Sequence, residues 1–464
     1  MNCSAYNNNV NLTGTRGWVR QSNDRGSLDI IISCGVTVFL CIWTSVCVNV
    51  PAPSRGVWDI FRDRWHMFCL GLLGPEFILL NALGQFCSAK ASVRAFAATD
   101  HSGWTMKHAF FADMGGVHLR LPNALLDEPK SFPINAKQLH FLVANGHIPF
   151  PSNITQDTIR DKNKSDGLAR FICSIQIFWF TLSTASRPIK GYATTSLELT
   201  TIAYIVCALA TMFFWRHKPM DVQDAIFLDC QRELDQLLDE QGRSAAGPYH
   251  FTPLDFVSRE EWIASRLWVY NVNLLRRMRI IHTYRKTLPI QHFSSFNFLI
   301  PERSMLFVAL AISLAYASVF VAGWSIHFPT RLEMILWRTC SLGSMMIVAI
   351  GGVFEISLMI KHYSKTTQGD NVELTLGPHL VRSHPLIKPA PTRMQAAMQH
   401  VKNKTPNLDP EYEVPFRSLI VTLPLCALYT IFRFFILLED FISFRGLPAT
   451  AFMAIDWATY LPHI

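Results

Sequence analysis

The chain has 464 residues, half of them hydrophobic and 16% charged, with a formal net charge of +8. Those averages suit a large soluble protein or a membrane protein with sizeable loops, and the distribution of the residues separates the two. Apolar residues gather in windows about as long as a bilayer is thick, while the charges crowd the stretches between. The eleven cysteines exclude little: most fall inside the apolar windows, where Cys acts as a small apolar residue, and no C-x-x-C pair supports a zinc or redox motif.

Residues 1–29 form a polar, Asn-rich tail without a signal-peptide layout, so the first window is expected to remain in the mature protein. That window runs from Ile30 to Val50 without a charge and stops at Pro51 and Pro53. The second, Met67–Phe86, contains Pro75, Glu76 and Asn81. A third, Phe171–Ser186, is short and bracketed by Arg170 and Arg187, whose long stems reach outward from the bilayer. The fourth, Leu197–Trp215, ends in Trp215-Arg216-His217-Lys218-Pro219, which reads as an aromatic and basic interface anchor with a helix stop. Ser304–Trp324 carries Ala309, Ser313 and Ala317 four apart for close helix contact. Thr339–Ile360 includes Glu355, and Ser418–Leu438 includes Pro424 and Arg433. The expectation is an all-α polytopic bundle of about seven transmembrane helices, with spans in 30–86, 168–215, 304–360 and 417–441 and a C-terminal tail over 442–464.

Three long loops separate these spans. Residues 87–167 predict amphipathic helices at Ala136–Ala144 and Gln156–Ala169. Residues 216–303 include Ser258-Arg259-Glu260-Glu261, a capping-box start to a helix reaching toward Arg285. Its end carries Arg276, Arg277, Arg279, Arg285 and Lys286 among apolar residues, a pattern that suits anionic lipid or a solvated face; no nucleic-acid module surrounds it. Residues 361–416, rich in Pro, His and Lys, read as irregular loop. Seven crossings put the N-terminal tail and all three loops on one side and the C-terminus on the other. The Lys and Arg excess makes the loop side cytosolic, although five glycosylation triplets, at Asn2, Asn11, Asn153, Asn163 and Asn403, share it.

The residues with chemistry to offer are the ionisable ones inside apolar windows. Glu76, Glu355 and Arg433 each cost roughly 2–4 kcal/mol at a bilayer centre, so they should face the bundle interior, a cavity or one another. They are candidates for a proton carrier, a substrate-binding pair or a general acid; a structural Glu–Arg pair is the plainer alternative. His108 and Asp113 lie in Trp104–Gly116, with His118 beyond. They suggest proton transfer more than metal binding, because their spacing matches no ligand motif. Asp221, Asp224 and Asp229 follow the fourth window without the second Asp-rich motif that Mg²⁺-diphosphate chemistry needs, and a solvated face explains them. No P-loop, dinucleotide-binding turn or nucleophile elbow is present, so no cofactor is expected, and an ATP-driven pump and a serine hydrolase are disfavoured.

Several stretches carry a likeness: Arg25-Gly26, Cys41-Ile42-Trp43-Thr44, Asn49-Val50-Pro51, Trp104-Thr105 to Gly116, Asp161-Lys162 with Lys164 and Asp166, Lys218-Pro219-Met220-Asp221-Val222, and Asp456-Trp457 through Tyr460-Leu461-Pro462-His463-Ile464. In these the chain resembles a large family of filamentous-fungal multi-pass integral membrane proteins. Members carry His where this sequence has Cys47, and some are encoded beside natural-product biosynthetic genes. The resemblance implies a fungal membrane protein and supplies no catalytic residues. Its 33 Phe and 12 Trp suit an apolar cavity. The reading is an enzyme or accessory protein acting on a lipophilic small molecule within the lipid bilayer, with Glu76 as proton donor in a cyclisation or isomerisation. A sensor with partner-binding loops and a small-molecule transporter are the alternatives.

Overall fold

The computed structural model describes residues 14–20, 25–52, 55–122, 131–163, 167–231, 251–258, 263–280, 288–296, 303–369, 393–404 and 413–455. The helices are α1 Ser27–Ser45, α2 Val57–Leu73, α3 Pro75–Ala98, α4 Met106–Asp113, α5 Ala136–Ala144, α6 Gln156–Lys162, α7 Gly167–Ile189, α8 Ser196–Phe214, α9 Asp255–Ser258, α10 Ile263–Arg277, α11 Arg303–Ala322, α12 Arg331–Gly369, α13 Arg393–Lys402 and α14 Phe416–Ile442. Of these, α1, α7, α8, α11, α12 and α14 are long and apolar enough to cross a membrane.

The faces these helices turn outward are apolar. Leu28, Ile32, Val36 and Phe39 recur on the open face of α1, and Ile431, Phe434, Leu438 and Phe441 on that of α14. Meanwhile Glu76, Lys218, Arg433 and Asp440 are buried. Water penalises an exposed greasy stripe of this extent, and lipid does not.

The second hydrophobic window departs from the expected straight span. It breaks at Gly74 into α2 and α3, which meet at a bend of 115°. Pro75 occupies the first position of α3, where its missing N–H is no loss, whereas inside a continuous helix it would remove a hydrogen bond. Both arms of the resulting V return to one end of the bundle. On α2, Arg64 pairs with Asp221 at 3.1 Å, and on α3, Gln85 accepts from Lys218 at 2.9 Å. At 1.5 Å per residue the arms from Arg64 to Leu73 and from Pro75 to Gln85 are each about 14–15 Å long, half of a hydrocarbon core of about 30 Å.

The described part of the N-terminal tail sits with the segment that follows α14. Strand β1, Thr15–Arg16, pairs antiparallel with β5, Leu447–Pro448, and the Arg25 amide donates to Phe452 O. Arg187 fastens the α7–α8 turn to the same end, donating to Ala451 O at 2.7 Å and Met453 O at 3.2 Å, and Glu333 at the start of α12 pairs with Arg445. The described segments Thr15–Arg16 and Leu447–Pro448 thus lie together, where the seven-crossing expectation put the N-terminal and C-terminal tails on opposite sides.

The opposite end is capped by a layer of short helices and a three-stranded sheet that the all-α expectation did not include. β2, Val117–Arg120, pairs antiparallel with β3, Ser131–Pro133, and parallel with β4, Ile226–Asp229. Helix α5 has the predicted bounds and is capped by Asn135, whose side chain accepts from the Gln138 amide. The helix expected over Gln156–Ala169 ends at Lys162, and α7 starts afresh at Gly167. The stretch expected to be irregular over 361–416 begins in helix, since α12 runs on to Gly369, and contains α13. Among the basic cluster, Arg276 is held by Asn273 and Ser294, while Met278 and Ile280 beside it are exposed; Arg285 and Lys286 lie outside the described residues, as do Arg259, Glu260, Glu261 and the C-terminal motif from Asp456. Of the glycosylation triplets, Asn153 and Asn163 are exposed and Asn403 is buried; Asn2 and Asn11 are not described.

Candidate functional site

A break in the middle of a helix pair leaves backbone groups that need partners, and the residues around Gly74 supply them. The last turn of α2 offers free carbonyls, the negative end of its dipole. The Arg433 Nε, from α14, donates to Leu73 O at 3.1 Å, and the Tyr204 hydroxyl, from the middle of α8, donates to Leu72 O. Glu76 stands in the first turn of α3, the positive end, and accepts from the Tyr429 hydroxyl of α14. Arg433 also reaches Tyr204 Oη at 3.4 Å and lies over the rings of Phe320 at 4.6 Å and Tyr316 at 5.3 Å, both on α11. Cation–π contact gives a guanidinium an attractive surface without an anion.

Glu76 and Arg433 are thus brought into one cluster, but each binds a tyrosine and not the other: the direct structural ion pair does not form. Three buried polar atoms of the cluster, Glu76 Oε2, Arg433 Nη1 and the Tyr316 hydroxyl, have no hydrogen-bond partner. Beside it, Cys41, Ile42, Gly71, Pro75, Tyr204 and Cys207 line a cavity of about 20 Å³, room for about one water.

The other candidates lie elsewhere. Glu355 is half-buried on α12. His108 forms a capping box on α4: its Nδ1 accepts from the Thr105 amide at 3.1 Å, and its ring stacks on Trp104 at 5.2 Å. Burial pushes its imidazole below the usual His range, opposed by a hydrogen bond at the Ile154 backbone. Asp113 caps α5, accepting from the Ala136 amide at 3.0 Å, and accepts from Ser88 of α3 at 2.8 Å. Both side chains hold local structure, His108 at the start of α4 and Asp113 at the start of α5. Asp221 and Asp229 pair with Arg64 and Arg120. Among the described residues no group of three or more His, Cys, Asp or Glu is arranged to hold a metal ion.

Two features escaped the sequence. Tyr204, Tyr316 and Tyr429 are not singled out there; the one signal they offer is a hydroxyl inside an apolar window. Lys218, read as an interface anchor, is instead only 4% exposed. Its ammonium donates to Cys47 O at 3.1 Å, Asn49 Oδ1 at 3.1 Å and Gln85 Oε1 at 2.9 Å, and lies 4.7 Å from the Trp215 ring centre. Burial lowers its pKa, with Cys47 and Asp113 acting in the opposite sense.

Residues 4–240, just over half of the chain, match a family of unknown function, DUF8562. No curated protein and no solved structure matches the chain.

Proposed function

The chain belongs to the DUF8562 family, and from the geometry at the helix break we propose that it is a membrane protein that binds the polar end of a lipophilic small molecule at the Glu76–Arg433 cluster and exchanges a proton with it. The carrying observation is the set of unpartnered buried atoms at the apex of the V, Glu76 Oε2 and Arg433 Nη1. A buried carboxyl and a buried guanidinium each carry a large desolvation penalty unless something completes their bonding. Arg433 would hold a substrate oxygen while Glu76 donates or accepts the proton, the requirement of an acid-initiated cyclisation or isomerisation. The cavity takes about one water, so admitting a metabolite requires α2 to shift against α8. The likeness to fungal membrane proteins supports a place in a fungal secondary-metabolite pathway, as enzyme or accessory protein.

The arrangement of the ends supports six crossings with α2–α3 as a re-entrant hairpin. Cysteines introduced at Thr15 and Arg445 should then react with an impermeant maleimide from one side of sealed vesicles, and one at Asn153 from the other. Opposite labelling of Thr15 and Arg445 would rule the hairpin out. A transporter is the second reading, favoured by the helix break itself, because paired half-helix ends near mid-membrane are a recurrent way to build a substrate site.

Deleting the gene and profiling small molecules by mass spectrometry, with a Glu76→Gln strain alongside, tests these readings. Accumulation of one precursor in both strains supports the enzyme. Normal intracellular product with lost export supports transport, and an altered environmental response with unchanged metabolites supports a sensor. A Glu76→Gln strain indistinguishable from wild type removes the site.

A further inference from the structure

The α8–α14 seam continues past the Glu76 cluster toward the end where the termini meet. On α14, Tyr429, Arg433, Ile436, Asp440 and Ser443 follow one buried face; on α8, Ser196, Thr200 and Tyr204 follow the facing one. Asp440 is 0% exposed, and neither oxygen of its carboxyl has a hydrogen-bond partner. Ser196 Oγ lies 3.2 Å from Ser443 Oγ, which closes the group. The Thr200 hydroxyl, on a residue 1% exposed and facing the same seam, is also without a hydrogen-bond partner.

The cations at this end are bonded to groups other than Asp440. Arg25 and Arg187 are committed to Glu198, at 2.5 and 3.9 Å, and Arg445 to Glu333. Arg433, two turns away on the same helix, is bonded to Leu73 O and Tyr204. The titratable groups that face Asp440 are Glu439 and Arg433 of its own helix, Tyr204 of α8 and Cys34 of α1. Among the described residues no cation pairs with Asp440, and the C-terminal end of α14 adds negative potential. An ionised carboxylate sealed in such surroundings is far costlier than a neutral one.

We infer that Asp440, with Thr200, Ser196 and Ser443, is a proton-binding site at the head of a polar seam that leads through Tyr204, Arg433 and Tyr429 to Glu76. Along α8, Thr200 stands about 6 Å from Tyr204 at 1.5 Å per residue, and along α14 Asp440 stands about 10 Å from Arg433, so the two buried carboxyls share one seam. The site stands on its own buried, unpartnered carboxyl and does not depend on the metabolite reading.

Dicyclohexylcarbodiimide tests it. This apolar reagent enters from lipid and reacts with carboxylic acids in their protonated form: the acid proton passes to a carbodiimide nitrogen, the carboxyl oxygen bonds to the central carbon, and an acyl shift to nitrogen leaves a stable N-acylurea with no group lost. Full-length protein in detergent is treated across a pH series without Na⁺ and the labelled residues are located by peptide mass spectrometry. Labelling at Asp440 is expected, falling about tenfold per pH unit on the alkaline limb, as one titrating proton requires, and the Asp440→Asn chain should lose that adduct alone. Absence of an Asp440 adduct at every pH, or an adduct independent of pH, overturns the proposal. Protection of Asp440 by added Na⁺ at fixed pH also overturns it, in favour of a metal cation on the same oxygens. Glu76 reports separately through its own peptide, so failure at either residue is distinguishable.

Discussion

The layer beneath the long loops and the seam at mid-bundle treat their buried charged groups differently, although the ring atoms His118 Nδ1 and His140 Nε2 of the layer are also buried without a hydrogen-bond partner. In the layer, Lys218 has three acceptors for its three N–H groups, Asp113 bonds Ser88 and the start of α5, and His108 closes a capping box. In the seam, Glu76, Arg433, Tyr316 and Asp440 each keep a buried polar atom that no neighbour bonds at close range. A fully satisfied network rigidifies, whereas an incomplete one costs free energy and persists where something else completes it. The layer therefore reads as scaffold and the seam as the working part.

The largest expected effect falls on the scaffold. Lys218→Met keeps the side-chain volume but orphans Cys47 O and Asn49 Oδ1, since Gln85 Oε1 still receives the Trp215 indole N–H at 3.0 Å. Two unpaired buried acceptors at about 1–3 kcal/mol each, less the relief of not burying an ammonium, should cost about 3 kcal/mol. Thermal unfolding in detergent measures this. A variant as stable as the parent would mean that the lysine only breaks even, and that the layer is no better satisfied than the seam.

Next in size is an acid effect confined to the layer. His118 on β2 is buried, and desolvation lowers its pKa to about 4. A base with a depressed folded pKa stabilises the folded state above its unfolded value of about 6.5 and loses that contribution as pH falls toward about 4. Between about pH 7 and pH 5 the layer should lose about 2 kcal/mol, seen as faster amide exchange in β2 and β4 than in α8. His118→Gln should flatten that dependence. Equal acceleration in α8 would show that the two regions do not open separately.

How far the sequence discloses this division depends on the range over which each cause acts. Bilayer-length windows are local, and the windows at Leu197–Trp215 and Ser304–Trp324 anticipated α8 and α11 closely. Glu76 and Arg433 stood out because charge inside such windows is costly at any register. The V was hidden because a hydropathy average cannot tell a proline that kinks a helix from one that starts a new helix. Asp440 fell beyond the Ser418–Leu438 window, at the very end of the 417–441 span, and Lys218 sat where a snorkelling anchor is the usual explanation for a basic residue after Trp. The β2–β4 pairing joins residues more than a hundred positions apart, and no local pattern encodes that register. His108 and Asp113 drew attention as reactive types, yet their work is decided by the first turns of α4 and α5.

The smallest expected change in stability is the one that most sharpens the contrast. In Glu76→Gln the amide oxygen can still accept from Tyr429, and the side chain keeps its length. What disappears is the acid and its charge near the start of α3, worth about 0.3–1 kcal/mol at a helix N-terminus. The variant should therefore unfold within about 1 kcal/mol of the parent while the metabolite phenotype is lost. If it instead loses as much stability as Lys218→Met, Glu76 is a brace for the broken helix, the seam is scaffold like the layer, and the unpartnered atoms at the apex of the V signify packing and not chemistry.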